Sequence, residues 1–209
     1  MLLYYITDRT QFSGGELERQ ERLLANIAEA ARCGVDYVQL REKHLSSRDL
    51  ETLARDAMRR VRAYGGKTRL LINSRTDIAL AAGADGVHLR SRDVSPEEVR
   101  KIWRVAKGSA DPIVAVSCHT EAEVTAAQKS GADFAVFGPV FGKRDAPEIA
   151  AAGLELVRSA CGSRIPVFAV GGVTAENAAL CIDAGAKGVA GIRLFQENSL
   201  ATVVAKFRR

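Results

Sequence analysis

The chain has 209 residues, of which 47% are hydrophobic and 26% are charged, and its formal net charge is +5. These values are those of an ordinary globular protein, and the length allows one sizeable core near the lower limit for an eight-fold barrel. No apolar run approaches the roughly 20 residues of a membrane span, and the sequence begins directly with the strand-like Leu2–Ile6. We therefore expect no membrane partner and no secretory leader.

The basic residues and the cysteines argue against two further classes of protein. Arginine and lysine are spread over helical segments instead of being gathered beside aromatic residues, so we expect no nucleic-acid partner. A modest positive bias does suit small phosphorylated substrates. The cysteines lack CxxC spacing, which argues against a zinc site or a disulfide framework and indicates thiols in a reducing cytoplasm. They are Cys33, Cys118, Cys161 and Cys181.

Short apolar runs with polar residues at their C-terminal ends recur along the chain, which is typical of buried parallel strands. In chain order the predicted strands are Leu2–Asp8, Asp36–Arg41, Arg69–Ser74, Gly86–Arg90, Ile113–Cys118, Phe134–Val140, Pro166–Gly172 and Gly188–Arg193. Helical patterns lie between them, most clearly over Leu17–Cys33 and Arg48–Ala63. Helix start signals precede three later helices. These signals are Ser95 before Pro96, a capping box over Thr120–Glu123, and Thr174–Asn177.

Four segments repeat one pattern, in which a small residue and a glycine precede a polar residue and an apolar run. They begin at Cys33, Ala82, Ser130 and Ala184. The glycine suits the left-handed cap that ends a helix, so each segment is a joint from a helix to a strand. With a further strand in each gap, the chain predicts about eight strands alternating with about eight helices.

This alternation predicts an α/β fold, a (β/α)8 TIM barrel formed by a single domain over residues 1–209. The alternative is an open doubly wound sheet, against which the lack of a GxGxxG motif after the first strand argues. In a TIM barrel the chemistry occurs at the C-terminal ends of the strands. The candidate functional residues therefore lie where each predicted strand ends.

Glycine turns follow the seventh and eighth predicted strands, at Gly171-Gly172 and Gly191-Ile192-Arg193. In barrels this pair of loops often binds phosphate through backbone N–H groups, and glycine lets the backbone approach closely. The alternative is that these glycines only allow tight turns.

Cations at the strand ends predict a second phosphate or diphosphate site, held by charge-assisted hydrogen bonds. They are Arg41, Lys43, Arg90, Lys143 and Arg193. The alternative is a solvated charged rim.

Acidic and histidine side chains near the strand ends are weaker candidates. Asp93 could hold a magnesium ion or cap a turn, and Asp77 suits a helix-dipole or salt-bridge role. His119 is a candidate general acid or base. We expect His88 to be a satisfied core group and His44 to be a surface residue.

At these residues the chain resembles the thiamine-phosphate synthase family, including its thiazole tautomerase branch. The matching segments occur in family order over nearly the whole chain, and together they are specific. They are Tyr5-Ile6-Thr7-Asp8, Val38-Gln39-Leu40-Arg41-Glu42-Lys43, Leu71–Leu80, Gly83–Leu89, Ser117-Cys118-His119-Thr120, Phe137–Phe141 and Ala169–Val173.

The resemblance implies condensation of hydroxymethylpyrimidine diphosphate with thiazole phosphate, giving thiamine phosphate and diphosphate. It assigns the pyrimidine diphosphate to Gln39, Arg41, Lys43 and Asn73. It assigns the thiazole phosphate to Gly172, Gly191, Ile192 and Arg193. Ser117, Lys143 and His119 are the catalytic candidates, His119 being the histidine that the tautomerase branch uses, and Asp93 is the implied ligand of Mg²⁺.

Several positions depart from the family pattern. Ser74 stands where the synthase has an aspartate that binds magnesium, so metal affinity should fall. Arg90-Ser91 replaces Gly-Gln, and an arginine there would repel magnesium or stand in for it. The loop Gly142-Lys143-Arg144 is shortened, and Arg193-Leu194-Phe195 replaces Ser-Ala-Ile.

These departures leave three functions open. The first is the synthase, and the second is a tautomerase that shifts a double bond in thiazole carboxylate phosphate. The third is a diverged phosphate-binding barrel without catalysis, since fold alone does not fix function. Whether the chain forms a homo-oligomer is also left open.

Overall fold

In a computed structural model of the chain, eight parallel strands form a closed barrel in sequence order, and helices follow the strands along the chain. The structure describes residues 1–65, 67–108, 110–142 and 150–208. The strands are β1 (Leu2–Ile6), β2 (Tyr37–Leu40), β3 (Arg69–Asn73), β4 (Gly86–Leu89), β5 (Ile113–Cys118), β6 (Phe134–Phe137), β7 (Val167–Val170) and β8 (Gly188–Gly191). The predicted TIM barrel is confirmed, and the open sheet is wrong.

The α-helices in the described part of the chain alternate with these strands, and two of them follow the last strand. They are α1 (Glu16–Cys33), α2 (Ser47–Arg62), α3 (Thr76–Ala82), α4 (Pro96–Lys107), α5 (Glu121–Lys129), α6 (Gly153–Ala160), α7 (Ala178–Asp183), α8 (Arg193–Gln196) and α9 (Leu200–Arg208). A 3-10 helix, Arg9–Gln11, follows β1. None of the helices within the described ranges has the length and apolar character needed to cross a bilayer.

By its internal packing the chain divides into two compact units, which are described separately. The terminal unit comprises Leu3–Val87 and Ile192–Arg209, and the central unit comprises Met1–Leu2 and His88–Gly191. The terminal unit carries β1 to β3, with Tyr4 beside Tyr37 and Ile6 beside Gln39 in the parallel register. The central unit carries β5 to β8, with Ser117 beside Val136. The single domain predicted from the sequence stays a prediction.

In the terminal unit, the polar residue of the repeated pattern fastens neighbouring strands together. Asp36 precedes β2, and its Oδ2 accepts a hydrogen bond of 2.8 Å from the backbone N–H of Leu3 in β1. Asp85 precedes β4, and its Oδ2 accepts a 2.8 Å hydrogen bond from the backbone N–H of Leu70 in β3. Each carboxylate also binds an arginine, which offsets its charge.

The central unit contains the same carboxylate contact once, and at a second strand start a backbone carbonyl takes its role. Asp133 precedes β6, and its Oδ2 accepts hydrogen bonds from Val114 N at 2.6 Å and from Arg100 Nη2 at 2.8 Å. In the fourth segment the polar residue is Lys187, whose backbone carbonyl accepts the N–H of Leu2 at 3.1 Å. The repeat therefore supplies each of four strand starts with an acceptor for a neighbouring N–H, which would otherwise cost free energy when buried.

Aromatic pairs fill the interior of each unit. In the terminal unit the rings of Tyr4 and Tyr37 meet edge to face, with their centroids 5.7 Å apart. In the central unit Phe134 and Phe168 lie 4.8 Å apart. Such pairs add to the stabilisation that burial of their surface provides.

Two of the three predicted helix starts are confirmed, and one is wrong. Ser95 Oγ accepts from Glu98 N, and Thr120 Oγ1 accepts from Glu123 N. At the third, Thr174 Oγ1 does accept from Glu176 N and Asn177 N, but Thr174–Asn177 form a turn and α7 begins only at Ala178. Of the clearest helices, α1 begins one residue earlier than predicted, at Glu16, and α2 is shifted by one residue at both ends, to Ser47–Arg62.

Most of the strands end earlier than predicted. β1 ends at Ile6 and not at Asp8, since Asp8 caps the 3-10 helix by accepting from Thr10 N. β6 ends at Phe137 and not at Val140. The polar residues that follow the strands therefore belong to loops, where side chains have room to bind a ligand.

The role of the strand-start aspartates predicts a stability difference between equivalent positions of the repeat. Asp133→Ala should lower the free energy of unfolding by about 1–3 kcal/mol, because the buried N–H of Val114 loses its acceptor. Lys187→Ala is the matched control, and it should change stability by no more than about 0.5 kcal/mol. Urea denaturation measures both variants. Equal stability of the two variants would contradict this role.

Candidate active site

A buried carboxylate lies between the two cations that follow β2. The Glu42 side chain is 1% exposed, and its oxygens accept hydrogen bonds from Thr7 Oγ1 at 2.6 Å and from Arg9 N at 3.2 Å. The Thr7 hydroxyl in turn accepts from the backbone N–H of Arg41 at 3.0 Å. The ends of β1 and β2 are thereby joined, and the Arg41–Lys43 segment is held in place. We name Thr7, Arg9 and Glu42 the carboxylate clamp.

An ion pair completes the carboxylate clamp. Arg9 is buried, and its Nη1 lies 3.0 Å from Glu42 Oε2. Arg9 Nε also lies 2.6 Å from Oε1 of the half-exposed Glu16. Burial raises the pKa of the Glu42 carboxyl, and hydrogen bonds from Thr7 and Arg9 oppose that rise. Several donors are needed here, because a buried carboxylate is costly unless it is fully paired.

Two amides lie side by side where β2 and β3 end. Gln39 is buried, and its Nε2 donates to Asn73 Oδ1 at 3.1 Å, while Asn73 Nδ2 donates to Ser74 Oγ at 3.2 Å. Ser74 has a φ of +59°, in the left-handed region that serine rarely adopts. Gln39 and Asn73, two of the residues predicted to bind the pyrimidine diphosphate, are therefore joined by a direct hydrogen bond.

Helix α8, which follows β8, is tied to the loop after β1. Gln196 Oε1 accepts from Asp8 N at 2.9 Å, and Gln196 Nε2 donates to the Asp8 carbonyl at 3.0 Å. This contact places α8, which begins directly after Ile192. Arg193 forms an ion pair of 3.7 Å with Glu197. Its predicted contact with phosphate stays a prediction.

In the central unit a buried histidine contacts the serine that ends β5. His88 is 2% exposed, and its Nε2 lies 2.7 Å from Ser117 Oγ. The expectation that His88 is a satisfied core group is confirmed, but its partner was missed. Both residues occupy the penultimate position of consecutive strands, β4 and β5, a correspondence that appears only with the observed strand bounds.

His119 is exposed and its ring is anchored on one side. Its Nδ1 lies 2.5 Å from the carbonyl oxygen of Gly138, so Nδ1 carries the proton and a neutral ring keeps its lone pair on Nε2. The adjacent Cys118 offers no nucleophile, because burial raises the pKa of its thiol to about 12.

The glycines after β7 are required by packing. Gly171 and Gly172 have φ of +93° and +66°. A Cβ on Gly172 would lie 2.7 Å from the Gly142 carbonyl oxygen and 2.8 Å from Phe141 Cβ. A tight turn therefore explains these glycines, and a phosphate at Gly172 stays a prediction. Gly191 ends β8.

The side chains do not fit a protein-held magnesium ion. The Asp93 carboxylate accepts from Arg90 N at 2.8 Å, from Arg90 Nη2 at 2.9 Å and from Arg90 Nε at 3.1 Å. Ser74 offers only a neutral hydroxyl where the resemblance implies a second carboxylate. Within the ranges that the structure describes, no group of three His, Cys, Asp or Glu side chains could hold a metal.

The remaining candidates are peripheral or undescribed. Asp77 lies in the first turn of α3 and pairs with Arg75 at 2.6 Å, as a salt-bridge role requires. His44 is exposed, as predicted. Lys143, with the neighbouring Arg144, lies outside the described residues.

The carboxylate clamp predicts a large stability loss on truncation. Glu42→Ala should lower the free energy of unfolding by about 3–5 kcal/mol, because the Thr7 hydroxyl, the Arg9 backbone N–H and Arg9 Nη1 all lose their buried acceptor. Glu42→Gln should lower the free energy of unfolding by less, since its amide oxygen still accepts hydrogen bonds. Glu155→Ala, which breaks an exposed ion pair with Arg158, is the control and should cost at most about 0.5 kcal/mol. Urea denaturation that found the two alanine variants equally stable would contradict the clamp.

Comparison with known sequences identifies the family. A family model described as thiamine monophosphate synthase matches residues 3–195. A putative thiamine-phosphate synthase of Geobacter sulfurreducens is 44% identical over 193 residues, which cover 90% of this chain and 83% of the relative. The putative thiamine-phosphate synthase 2 of Aquifex aeolicus is 39% identical over 196 residues, which cover 93% of this chain and 97% of the relative.

The fold agrees with these sequence relatives. The solved thiamine phosphate pyrophosphorylase from Pyrococcus furiosus matches with a TM-score of 0.81 and 28% identity, over 99% of this chain and 93% of that chain. A 3-hexulose-6-phosphate synthase, at 18% identity and a TM-score of 0.72, shares the fold alone. The resemblance found in the sequence motifs is confirmed: the chain belongs to the thiamine monophosphate synthase family.

Proposed function

We propose that this chain condenses hydroxymethylpyrimidine diphosphate with thiazole phosphate, giving thiamine phosphate and diphosphate. In the terminal unit, the main support for this proposal is the carboxylate clamp. It holds the backbone of Arg41 through Thr7, next to the amide pair Gln39 and Asn73. Amides beside cations suit a polar heterocycle that bears a diphosphate. In a member of this family, that combination supports the transferase reaction.

The pyrimidine diphosphate is assigned to the ends of β2 and β3. Gln39 and Asn73 offer amide donors and acceptors for the ring nitrogens and amino group. Arg41 is half-buried and Lys43 is exposed, and both follow β2 directly. A guanidinium and an ammonium there would bind diphosphate oxygens by charge-assisted hydrogen bonds.

The reaction exchanges one bond at the pyrimidine methylene carbon. The C–O bond to the diphosphate breaks, and the electron pair leaves with the diphosphate. The stabilised pyrimidine cation then accepts the lone pair of the thiazole nitrogen, which forms the new C–N bond. Charge develops on the leaving diphosphate, so fixed donors and cations supply most of the catalysis.

Ser117 is the donor that we assign to the leaving diphosphate in the central unit. If His88 Nε2 carries its proton, it donates to Ser117 Oγ across the 2.7 Å contact, and the serine hydroxyl can then donate to a phosphate oxygen. The thiazole phosphate is assigned to Gly172, Gly191, Ile192 and Arg193, and Lys143 to catalysis. These assignments rest on the family motifs.

One observation favours a thiazole tautomerase as the second candidate. The His119 ring is anchored through Nδ1, and its neutral form keeps a lone pair on Nε2. Such a base can take a proton from one carbon of thiazole carboxylate phosphate and return it to another, which shifts the double bond. The chain would then need no diphosphate site.

The cytoplasm is our prediction for the location of either activity. All four cysteines are free thiols, which suits a reducing compartment. Small phosphorylated molecules are the proposed partners.

Formation of thiamine phosphate from the two substrates tests the proposal directly. We expect turnover by the purified chain, measured by chromatography of the product. Ser117→Ala should lower kcat by about 10²–10³, the usual cost of removing one donor to a developing charge. Ser13→Ala removes an exposed hydroxyl and should leave kcat unchanged. Absence of product from folded wild-type protein, with both substrates bound, would refute the synthase.

His119→Ala separates the two candidate functions. Condensation should persist in this variant, because no step of it requires a base at His119. Any double-bond shift in thiazole carboxylate phosphate should fall by about 10²–10⁴, the range of general acid–base catalysis. NMR of the thiazole protons measures the shift. Loss of condensation in a folded His119→Ala protein would show that this assignment of roles is wrong.

A further inference from the structure

The loop after β4 carries an arginine that is held by the implied metal ligand. Arg90 follows β4 directly, and its Nε and Nη2 both bind Oδ1 of Asp93, at 3.1 and 2.9 Å. Its backbone N–H binds Oδ2 of the same carboxylate at 2.8 Å. Asp93 therefore closes a ring with Arg90 through both the side chain and the backbone.

Exposure differs sharply between the two partners of this pair. The Asp93 side chain is 11% exposed, whereas the Arg90 side chain is 69% exposed. A carboxylate that is covered and already holds three N–H groups is a poor ligand for magnesium, which binds with strict octahedral geometry. An exposed guanidinium that is fixed along one edge retains N–H groups for an anion.

We propose that Arg90, held by Asp93, binds the leaving diphosphate in place of a magnesium ion held by the protein. This inference rests on the proposed condensation for the identity of the anion. Asp93 becomes a positioning residue for an arginine, and not a metal ligand. The neutral Ser74 agrees with this exchange, since a site that uses no protein-held metal needs no second carboxylate.

Guanidinium chemistry supports the exchange of a metal for an arginine. Arginine stays charged at every physiological pH, and its planar fork matches two phosphate oxygens at once. The contact with Asp93 fixes the side chain before the anion arrives, which lowers the entropy lost on binding. Arg90 also lies at the carboxyl end of a strand, the face on which barrels carry their chemistry.

Calorimetry with inorganic diphosphate in excess EDTA tests the proposal without requiring turnover. Wild-type protein should bind the anion under these conditions. Arg90→Ala should bind it at least tenfold more weakly, because it loses a charge-assisted hydrogen bond. Arg90→Lys should lie between them, since an ammonium keeps the charge but not the fork. Thermal melts of every variant confirm folding.

Arg92 supplies the matched control for charge. It is an exposed arginine two residues further along the same loop. Arg92→Ala removes the same formal charge as Arg90→Ala, so a general electrostatic effect would weaken both variants equally. We expect diphosphate binding by Arg92→Ala to stay within twofold of wild type. Equal weakening of both variants would overturn the specific role of Arg90.

Asp93→Ala distinguishes an arginine holder from a metal ligand. If Asp93 were a metal ligand, this variant would lose magnesium-dependent diphosphate binding. The proposal predicts that Asp93→Ala still binds diphosphate in EDTA but more weakly than wild type, because Arg90 remains but is no longer held in place. Diphosphate binding by wild-type protein only when Mg²⁺ is added would overturn the proposal.

The binding test and the turnover test can fail independently of each other. Diphosphate binding that depends on Arg90, without any thiamine phosphate formed, would support the anion site and refute the condensation. Thiamine phosphate formed by Arg90→Ala in EDTA at the wild-type rate would support the condensation and overturn the role of Arg90.

Discussion

The need of buried backbone N–H groups for an acceptor controls how the strands of this barrel align. Asp36, Asp85 and Asp133 each satisfy the N–H of a residue at the start of a neighbouring strand, and Lys187 does so through its carbonyl. A parallel strand that slips by one residue turns its side chains to the opposite face. The aligned strands therefore decide which side chains arrive at the carboxyl ends, among them the hydrogen-bonded amides of Gln39 and Asn73.

Much of this fold could be predicted from the sequence, because each strand is a short apolar run between helix signals. Strand ends were less predictable, since residues such as Asp8 look like the end of a strand but cap the next turn. Thr174 resembled a helix start, yet the Asn177 side chain closes a turn first. The repeated aspartate was visible as a polar residue, but its acceptor role depends on the neighbouring strand.

The candidate site was predictable in its residue types and not in its internal contacts. Glu42 lies between two cations and looks like part of a solvated charge run, whereas it is the buried centre of the carboxylate clamp. The partner of His88 could be found only once β4 and β5 were aligned as neighbours in chain order. Asp93 matched the family as a metal ligand, and only side-chain geometry showed that it holds Arg90.

The central claim is that this barrel condenses the two thiamine precursors, and growth tests it most directly. The gene would be expressed in a bacterium that lacks its own thiamine-phosphate synthase and is grown without thiamine. The account predicts growth with the wild-type chain and much slower growth with the Ser117→Ala variant at equal protein level. Failure of the wild-type chain to restore growth, with folded protein present, would contradict the account.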